Sequence, residues 1–424
     1  MRILAAARGL CRVVLLCEPR HPRLADGLRS VGKHAEIVDI TGLDDEAVCR
    51  LAAGLSPAGV VTFSESRLRL TALVAEACRL PFHSPDTVDA LTDKFRQRRI
   101  LADRGVQYTR CALVRDPDGI ADALGLVGLP AVLKPRFGAG SVDTCLVRSP
   151  DECRSRLAEF TEGPDPAARR DFVLEEYLPG DPGQAGPGVG DYVSVESVVV
   201  DGEPRTVAVT GKPPLVPPFR ETGHILPAPV TPALEADIVR LEKQAVRALG
   251  VRHGVTHTEI KLTPAGPRII EVNGRLGGHI AEIVQRSLGY DLVAAALRLA
   301  LGLPVADPEP AQSQPAQSQP APSEPAPSGP RPGRVAFQYM LVPPPDSVRT
   351  GPWSLVEELA GIPGVDLVDV PATDGRPADW RAGTAGALGV VYGSAPDHAG
   401  LRDVLRQLQD RLDVFWRTSA SEPV

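Results

Sequence analysis

A chain of 424 residues, 43 % of them hydrophobic and 23 % charged, has enough apolar material for two or three domains with a sizeable core. Its formal net charge of −7 leaves no basic footprint, which argues against a nucleic-acid partner. The apolar start is broken by Arg8 and Arg12 and no run is long enough to span a bilayer, so a cytoplasmic protein without a membrane partner is expected.

Residues 1 to about 90 alternate apolar runs with amphipathic stretches. Runs 12–17 (RVVLLC), 35–40 and 58–63 (AGVVTF) read as buried strands, with helices at 45–54 and 68–80, which predicts a parallel sheet. Residues 1–6 leave hardly any room for a helix before Arg12, so the first βα unit is expected to be abridged. Ser84 caps a helix with Pro85 in its first turn, and 93–104 reads as a strongly charged helix closed by Gly105. Residues 131–135 and 144–147 predict a hairpin around a glycine-bearing loop. Strands are expected at 172–177 and 192–200, then an amphipathic helix at 231–249. Strands 256–262 and 268–272 are joined by a Pro264-Ala265-Gly266 turn. From 307 to 333 a Pro/Ala/Ser/Gln repeat cannot form a core and reads as an extended, disordered linker. Beyond it, strands at 334–342 and 387–392 and a helix at 399–415 suggest a small α+β cap holding all three tryptophans, Trp353, Trp380 and Trp416.

The seven cysteines form no CxxC pair and read as reduced thiols. The basic residues are more telling. Of 46, only Lys33, Lys94, Lys134, Lys212, Lys243 and Lys261 are lysine. A lysine kept against that bias marks a place where a compact ammonium suits better than a guanidinium, as among phosphate oxygens.

Five segments bear chemistry. Leu133-Lys134-Pro135-Arg136-Phe137-Gly138-Ala139-Gly140-Ser141 delivers a lysine on a strand into a glycine loop, where backbone N–H groups can approach phosphate. It is not a Walker A loop, which needs GKS or GKT opening a helix. Residues 172–180 (FVLEEYLPG) end a strand in Glu175 and Glu176, which point to opposite faces. Alternation puts Glu259 on the same face as Lys261, and Glu271 on the same face as Asn273. If these strands pair through the turn, Glu259 and Glu271 converge, and two carboxylates with an amide oxygen suit a hard cation such as Mg²⁺. Arg275, just beyond, can clamp a transferring phosphoryl group, and Glu221 and His224 lie in a proline-rich loop able to cover a pocket. His253 and His257 have i,i+4 spacing, but Gly254 interrupts them, which disfavours a zinc site.

In this order the segments resemble the ATP-grasp superfamily, from Asp93-Lys94 through KPRFGAGS, FVLEEYLPG and THTEIK to IIEVNGR. Within it, Asp191–Glu196 (DYVSVE), Glu221–Ile225 (ETGHI) and THTEIK resemble the L-amino-acid ligases, the bacilysin-type dipeptide synthetases; residues 55–300 carry the likeness. The resemblance implies a multidomain α/β and α+β chain. It would comprise a Rossmann-like pre-ATP-grasp domain at 1–90 and an ATP-grasp domain at 91–304, divided into a nucleotide lid at 133–200 and a metal and substrate part at 201–304. The linker at 305–334 and the cap at 335–424 would follow.

The family's roles then fall on these positions. ATP phosphates are expected at Lys94 and Lys134 with Gly138, Gly140 and Ser141 as lid, and adenine at Glu175, Glu176, Tyr177 and Leu178. Mg²⁺, or Mn²⁺, is expected at Glu259, Glu271 and Asn273. Arg275, Lys134 and His224 are the expected catalytic groups, and Glu65, Glu221, His224, Arg275 and His279 the substrate contacts. The implied reaction activates a carboxylate as an acyl phosphate and joins it to an amine, both substrates being small molecules such as amino acids; a homodimer is the assembly the resemblance suggests. His279 stands where dipeptide ligases size the first amino acid's pocket, which points to a polar acyl donor. The alternatives are a carboxylating relative that activates bicarbonate and a non-catalytic nucleotide-binding module.

Overall fold

The structure is a computed structural model that describes residues 2–19, 28, 31–161, 171–186, 188–308, 333–345, 354–370 and 380–420. The expected linker at 305–334 falls mostly outside the described residues.

At the amino-terminal end, β1 (Val14–Cys17) pairs in parallel with β2 (Glu36–Asp39), and helices Asp45–Gly54 and Leu68–Cys78 pack beside them. Two expectations fail here. Residues 58–63 form no strand; Val61 and Phe63 pack against the core beneath helix Leu292–Ala300, while Val60 faces the β1–β2 side. The run is apolar because both its faces are covered, and periodicity does not separate that case from a buried strand. Residues Arg2–Ala7 are themselves a short helix, resting on Leu292–Ala300.

A four-stranded antiparallel sheet follows, of β3 (Cys111–Val114), β4 (Ala131–Pro135), β5 (Cys145–Val147) and β6 (Phe172–Glu176) in the order β3-β6-β4-β5. Helices Ile120–Val127 and Pro150–Thr161 bury Ile120, Val127, Cys153 and Leu157 against it. The hairpin expected around the glycine loop is β4–β5.

The rest is built on one eight-stranded sheet. Its strands are β7 (Tyr192–Val200), β8 (Glu203–Gly211), β9 (Gly223–Leu226), β10 (Gly254–Thr263), β11 (Gly266–Asn273), β12 (Val335–Met340), β13 (Val365–Asp369) and β14 (Val390–Ala395). Their order is β11-β10-β7-β8-β9-β12-β14-β13. Helices Pro232–Ala248 and His398–Ala420 cover one face, and Ile280–Leu288 and Leu292–Ala300 the other, so the alternating valines of β7 serve two cores. The segment read as an α+β cap adds three strands to this sheet through β12, which pairs with β9.

Strands β10 and β11 form an edge hairpin. Gly266 takes φ +104°, which an L side chain rarely adopts, and the Thr263 hydroxyl accepts from the Ala265 N–H and donates to the Gly266 carbonyl at 2.7 Å. The turn pairs Thr263 with Gly266 and, in step, Ile260 with Ile269; a β-bulge at Ile270 then shifts the register by one and brings Glu259 directly opposite Glu271.

Candidate active site

A cleft of about 1980 Å³ opens between the small sheet and the β10–β11 edge. At one end, Lys94 begins helix Lys94–Asp103. Its N-cap, Asp93, accepts from the Phe95 and Arg96 N–H groups and pairs with Arg136 at 2.6 Å. The Lys94 ammonium is nearly buried; it donates to the Gly138 carbonyl at 2.6 Å and pairs with Glu271 at 3.1 Å. It therefore bridges the glycine loop and the carboxylate hairpin.

Lys134 projects from β4 and pairs with Glu175 at 2.8 Å, while Arg98 reaches the same carboxylate at 3.0 Å. Burial works against a charged Glu175, but the Arg98 guanidinium and the Lys134 ammonium outweigh it and bring the carboxyl down to about 2. The Glu175 side chain is thus occupied. Glu176, on the opposite face of β6, pairs with Arg110 at 2.9 Å. Glu176, Tyr177 and Leu178 all border the cleft, so the expected adenine segment lies beside the expected phosphate groups.

Gly138, Gly140 and Ser141 also line the cleft, at φ +121°, +72° and +58°. The Thr384 N–H donates to the Gly140 carbonyl at 2.9 Å, so the carboxy-terminal segment touches the glycine loop. The sequence gives no sign of this contact.

Glu259 and Glu271 face the cleft together. The nearest cation to Glu259 is His257 Nε2 at 3.6 Å, and His257 Nδ1 pairs with the fully buried Glu196 at 2.7 Å. Burial disfavours an imidazolium, yet the Glu196 carboxylate and the hydrogen bonds that Glu196 and Glu259 accept from the ring carry His257 up to about 9. Asn273 does not complete the set as expected. It is buried, its Nδ2 donates to the His257 carbonyl at 3.3 Å, and its Oδ1 is directed at Arg275 at 3.4 Å. Among the described residues no cluster of three or more His, Cys, Asp or Glu converges as a metal cage. A cation here would rest on two carboxylates and on oxygens brought by a ligand, the usual habit of Mg²⁺ at phosphates.

Past β11, Arg275 pairs with Glu65 at 2.8 Å and donates to the Leu276 carbonyl at 2.9 Å. Burial raises the Glu65 carboxyl and Arg275 opposes that rise. Glu221 borders the cleft and bonds the ammonium of Lys212. His224 stands behind it: Nδ1 lies 2.7 Å from Lys212 Nζ and Nε2 lies 2.9 Å from the Gly278 carbonyl. Burial and the neighbouring Lys212 push His224 down to about 3 against the pull of Glu221. With both ring nitrogens engaged, His224 has no free atom for proton transfer to a substrate, unlike the expectation. His279 is exposed, at φ +61°, and bonds the Tyr392 hydroxyl at 3.1 Å; it does not border the cleft.

Three groups that line this cleft or pair with its lining residues receive no role from the sequence. Arg98 gave no signal. Glu196 did, since a carboxylate within the valine-rich β7 needs a buried partner, and that partner is His257. Asp191 pairs with Lys261 at 2.6 Å. Lys94, Lys134, Lys212 and Lys261 all stand at the cleft or directly behind its wall.

Residues 127–283 match the ATP-grasp domain family. The chain is 32 % identical over 280 residues to carnosine synthase 1 of Gallus gallus, an alignment covering 60 % of this chain and 28 % of that protein. It is 27 % identical over 263 residues to the alanine–anticapsin ligase of Bacillus subtilis, covering 59 % of this chain and 56 % of that one. The chain thus spans between about a quarter and a little over half of these relatives. Among solved structures, the L-amino acid ligase from Bacillus licheniformis superposes with a TM-score of 0.68 at 21 % identity, over 94 % of this chain and 97 % of that one. The carboxyaminoimidazole ribonucleotide synthase from Aspergillus clavatus, complexed with ATP, does so at 0.69 and 16 % identity, over 98 % and 96 %. Likeness at such identities is one of fold, and it spans ligase and synthase names alike. The opposed carboxylates, the lysine-bearing glycine loop and these matches lead to one conclusion: residues 127–283 match the ATP-grasp domain family, on a chain that shares the fold of ATP-grasp structures.

Proposed function

We propose that this protein is an ATP-dependent carboxylate–amine ligase that forms an amide bond between amino acids or close analogues through an acyl phosphate. The observation that carries the reading is the hairpin pairing of Glu259 with Glu271, with Lys94 bonded to one side of it and Arg275 at its exit. The cleft's volume exceeds what a single small ligand needs, which suits a nucleotide with an acid and an amine.

In this reading Lys94, Lys134 and the N–H groups of the glycine loop hold the nucleotide's phosphates, with Glu176, Tyr177 and Leu178 beside the base. Glu259 and Glu271 would hold Mg²⁺, which supplies charge neutralisation between the phosphates. The substrate carboxylate attacks the γ-phosphorus in line, the bond to ADP breaks, and an acyl phosphate forms. Arg275, fixed by Glu65, faces the negative charge on that group. The amine then forms the C–N bond, phosphate leaves with the electron pair of the C–O bond, and the amine loses one proton. The chain's contribution is position and charge rather than a covalent relay.

The ligase names of the relatives favour amino-acid substrates. A matrix of amino acids and small carboxylates, with bicarbonate as one acid, scored for ADP formation and product mass, tests the reading. An amide product from two amino acids is expected. ADP formation only with bicarbonate, or with no acid at all, would reject it.

A further inference from the structure

Lys212 is the most completely buried lysine near the cleft, with no exposed surface. It follows β8, and the Gly190 N–H holds its carbonyl at 2.7 Å, so the backbone fixes where its side chain starts. Its ammonium bonds Glu221 and faces His224 Nδ1 at 2.7 Å, with the Tyr192 ring 5.8 Å away.

Donor and acceptor counting settles the proton positions. The Gly278 carbonyl can only accept, so His224 Nε2 carries the proton donated to it. A second proton on Nδ1 would point at the ammonium, so Nδ1 is the acceptor and the ring is neutral. Lys212 is therefore charged and donates to both partners. An ammonium can direct separate N–H bonds at a carboxylate and a ring nitrogen, whereas a planar guanidinium needs a wider fork. The chain uses lysine here against its strong preference for arginine.

The far end of this chain of bonds matters as much as the near end. Glu221 borders the cleft, and Gly278 belongs to the turn that follows Arg275. Gly277 in that turn packs so closely on His257 that a Cβ would collide with the ring. One buried ammonium thus links a cleft carboxylate to the turn carrying the arginine.

We propose that Lys212 is a positioning residue: it holds Glu221 as the anion that receives a substrate's ammonium group, and it locks His224 in the Nε2–H tautomer that anchors the Gly277–Gly278 turn. The substrate half of this rests on the ligase reading above; the tautomer half does not.

The test has two arms. In ¹⁵N-histidine-labelled protein, long-range proton–nitrogen correlation at pH 7 shows where each ring carries its proton, and His224→Asn identifies the signal. The wild type is expected to show His224 protonated at Nε2 only, and Lys212→Met to shift its Nδ1 resonance toward that of an unbonded acceptor. In the second arm, ADP formation is measured with the amino-acid pair that wild type turns over fastest. Lys212→Met is expected to raise the amino-acid KM by about tenfold or more, as for a lost charge-assisted hydrogen bond, while the ATP KM stays within about twofold. Glu221→Gln is expected to add little in the Lys212→Met background, because the pair acts as one unit. If Lys212→Met does not fold, the neutral double variant Lys212→Met/Glu221→Gln replaces it in both arms, with the same Nδ1 shift and KM rise expected. A His224 proton on Nδ1, an unmoved Nδ1 resonance, or additive effects of the two substitutions would overturn the proposal. If wild type turns over no amino-acid pair, the ligase reading fails and the spectroscopic arm alone decides the role of Lys212.

Discussion

Glu175→Gln removes the carboxylate that Arg98 and Lys134 share and leaves two buried cations facing a neutral amide. Glu175 lies at about 2 instead of 4.5. At about 1.4 kcal/mol per tenfold change, that favours its ionised form by something on the order of 3 kcal/mol. Removing one partner of a buried ion pair typically costs about 3–5 kcal/mol, so two routes agree on roughly 3 kcal/mol. The carboxyl is depressed, so its stabilisation is present above pH 4.5 and is lost as pH falls toward 2. For a domain of this size the loss should lower the thermal midpoint by roughly 6–12 °C at pH 7. Differential scanning fluorimetry at pH 7 measures it. A drop under about 2 °C would mean that the two cations find other partners, and the reasoning would be wrong.

Three other outcomes follow from particular contacts. Glu271→Gln should cut turnover by about a hundredfold or more, the scale of losing one charged group at a reacting phosphoryl, in a steady-state assay of ADP formation; unchanged turnover would remove Glu271 from the site. Burial raises the Glu242 carboxyl, in helix Pro232–Ala248, to about 7, so its stabilisation is present below pH 4.5 and is lost as pH rises through 7. Glu242→Gln should therefore gain on the order of 3 kcal/mol at pH 8 and nothing at pH 4 in urea unfolding; parallel pH curves would refute this. Gly383 has φ +61°, and a Cβ there would run into the Gly140 carbonyl. Gly383→Ala should release the 380–386 segment from the glycine loop and weaken ATP binding severalfold by calorimetry; equal affinity would show that this contact does not help hold the loop.

What was readable in the sequence shares a cause. Strand alternation and a short turn bring Glu259 and Glu271 into one neighbourhood, but the β-bulge at Ile270 that sets them face to face gives no sign in the sequence. The glycine loop was readable because only glycines and small residues suit its positive φ angles. Lys94, Lys134, Lys212 and Lys261 stood out against an arginine-rich background. The unreadable parts depend on long-range packing. Residues 58–63 look like a strand because they are covered on both sides. Arg98 meets Glu175 across 77 positions of sequence, and Thr384 meets Gly140 across more than two hundred. His224 was expected to face substrate, but residue type alone does not tell a group on a cleft wall from one behind it.

The central claim is that a carboxylate oxygen attacks the terminal phosphate of ATP. An amino acid labelled with ¹⁸O in its carboxylate, incubated with Mg-ATP and an acceptor amine, tests it through the isotope shift in ³¹P spectra of the products. The account predicts one ¹⁸O in the released inorganic phosphate, with ADP unlabelled. Unlabelled phosphate, or label in AMP, would contradict it.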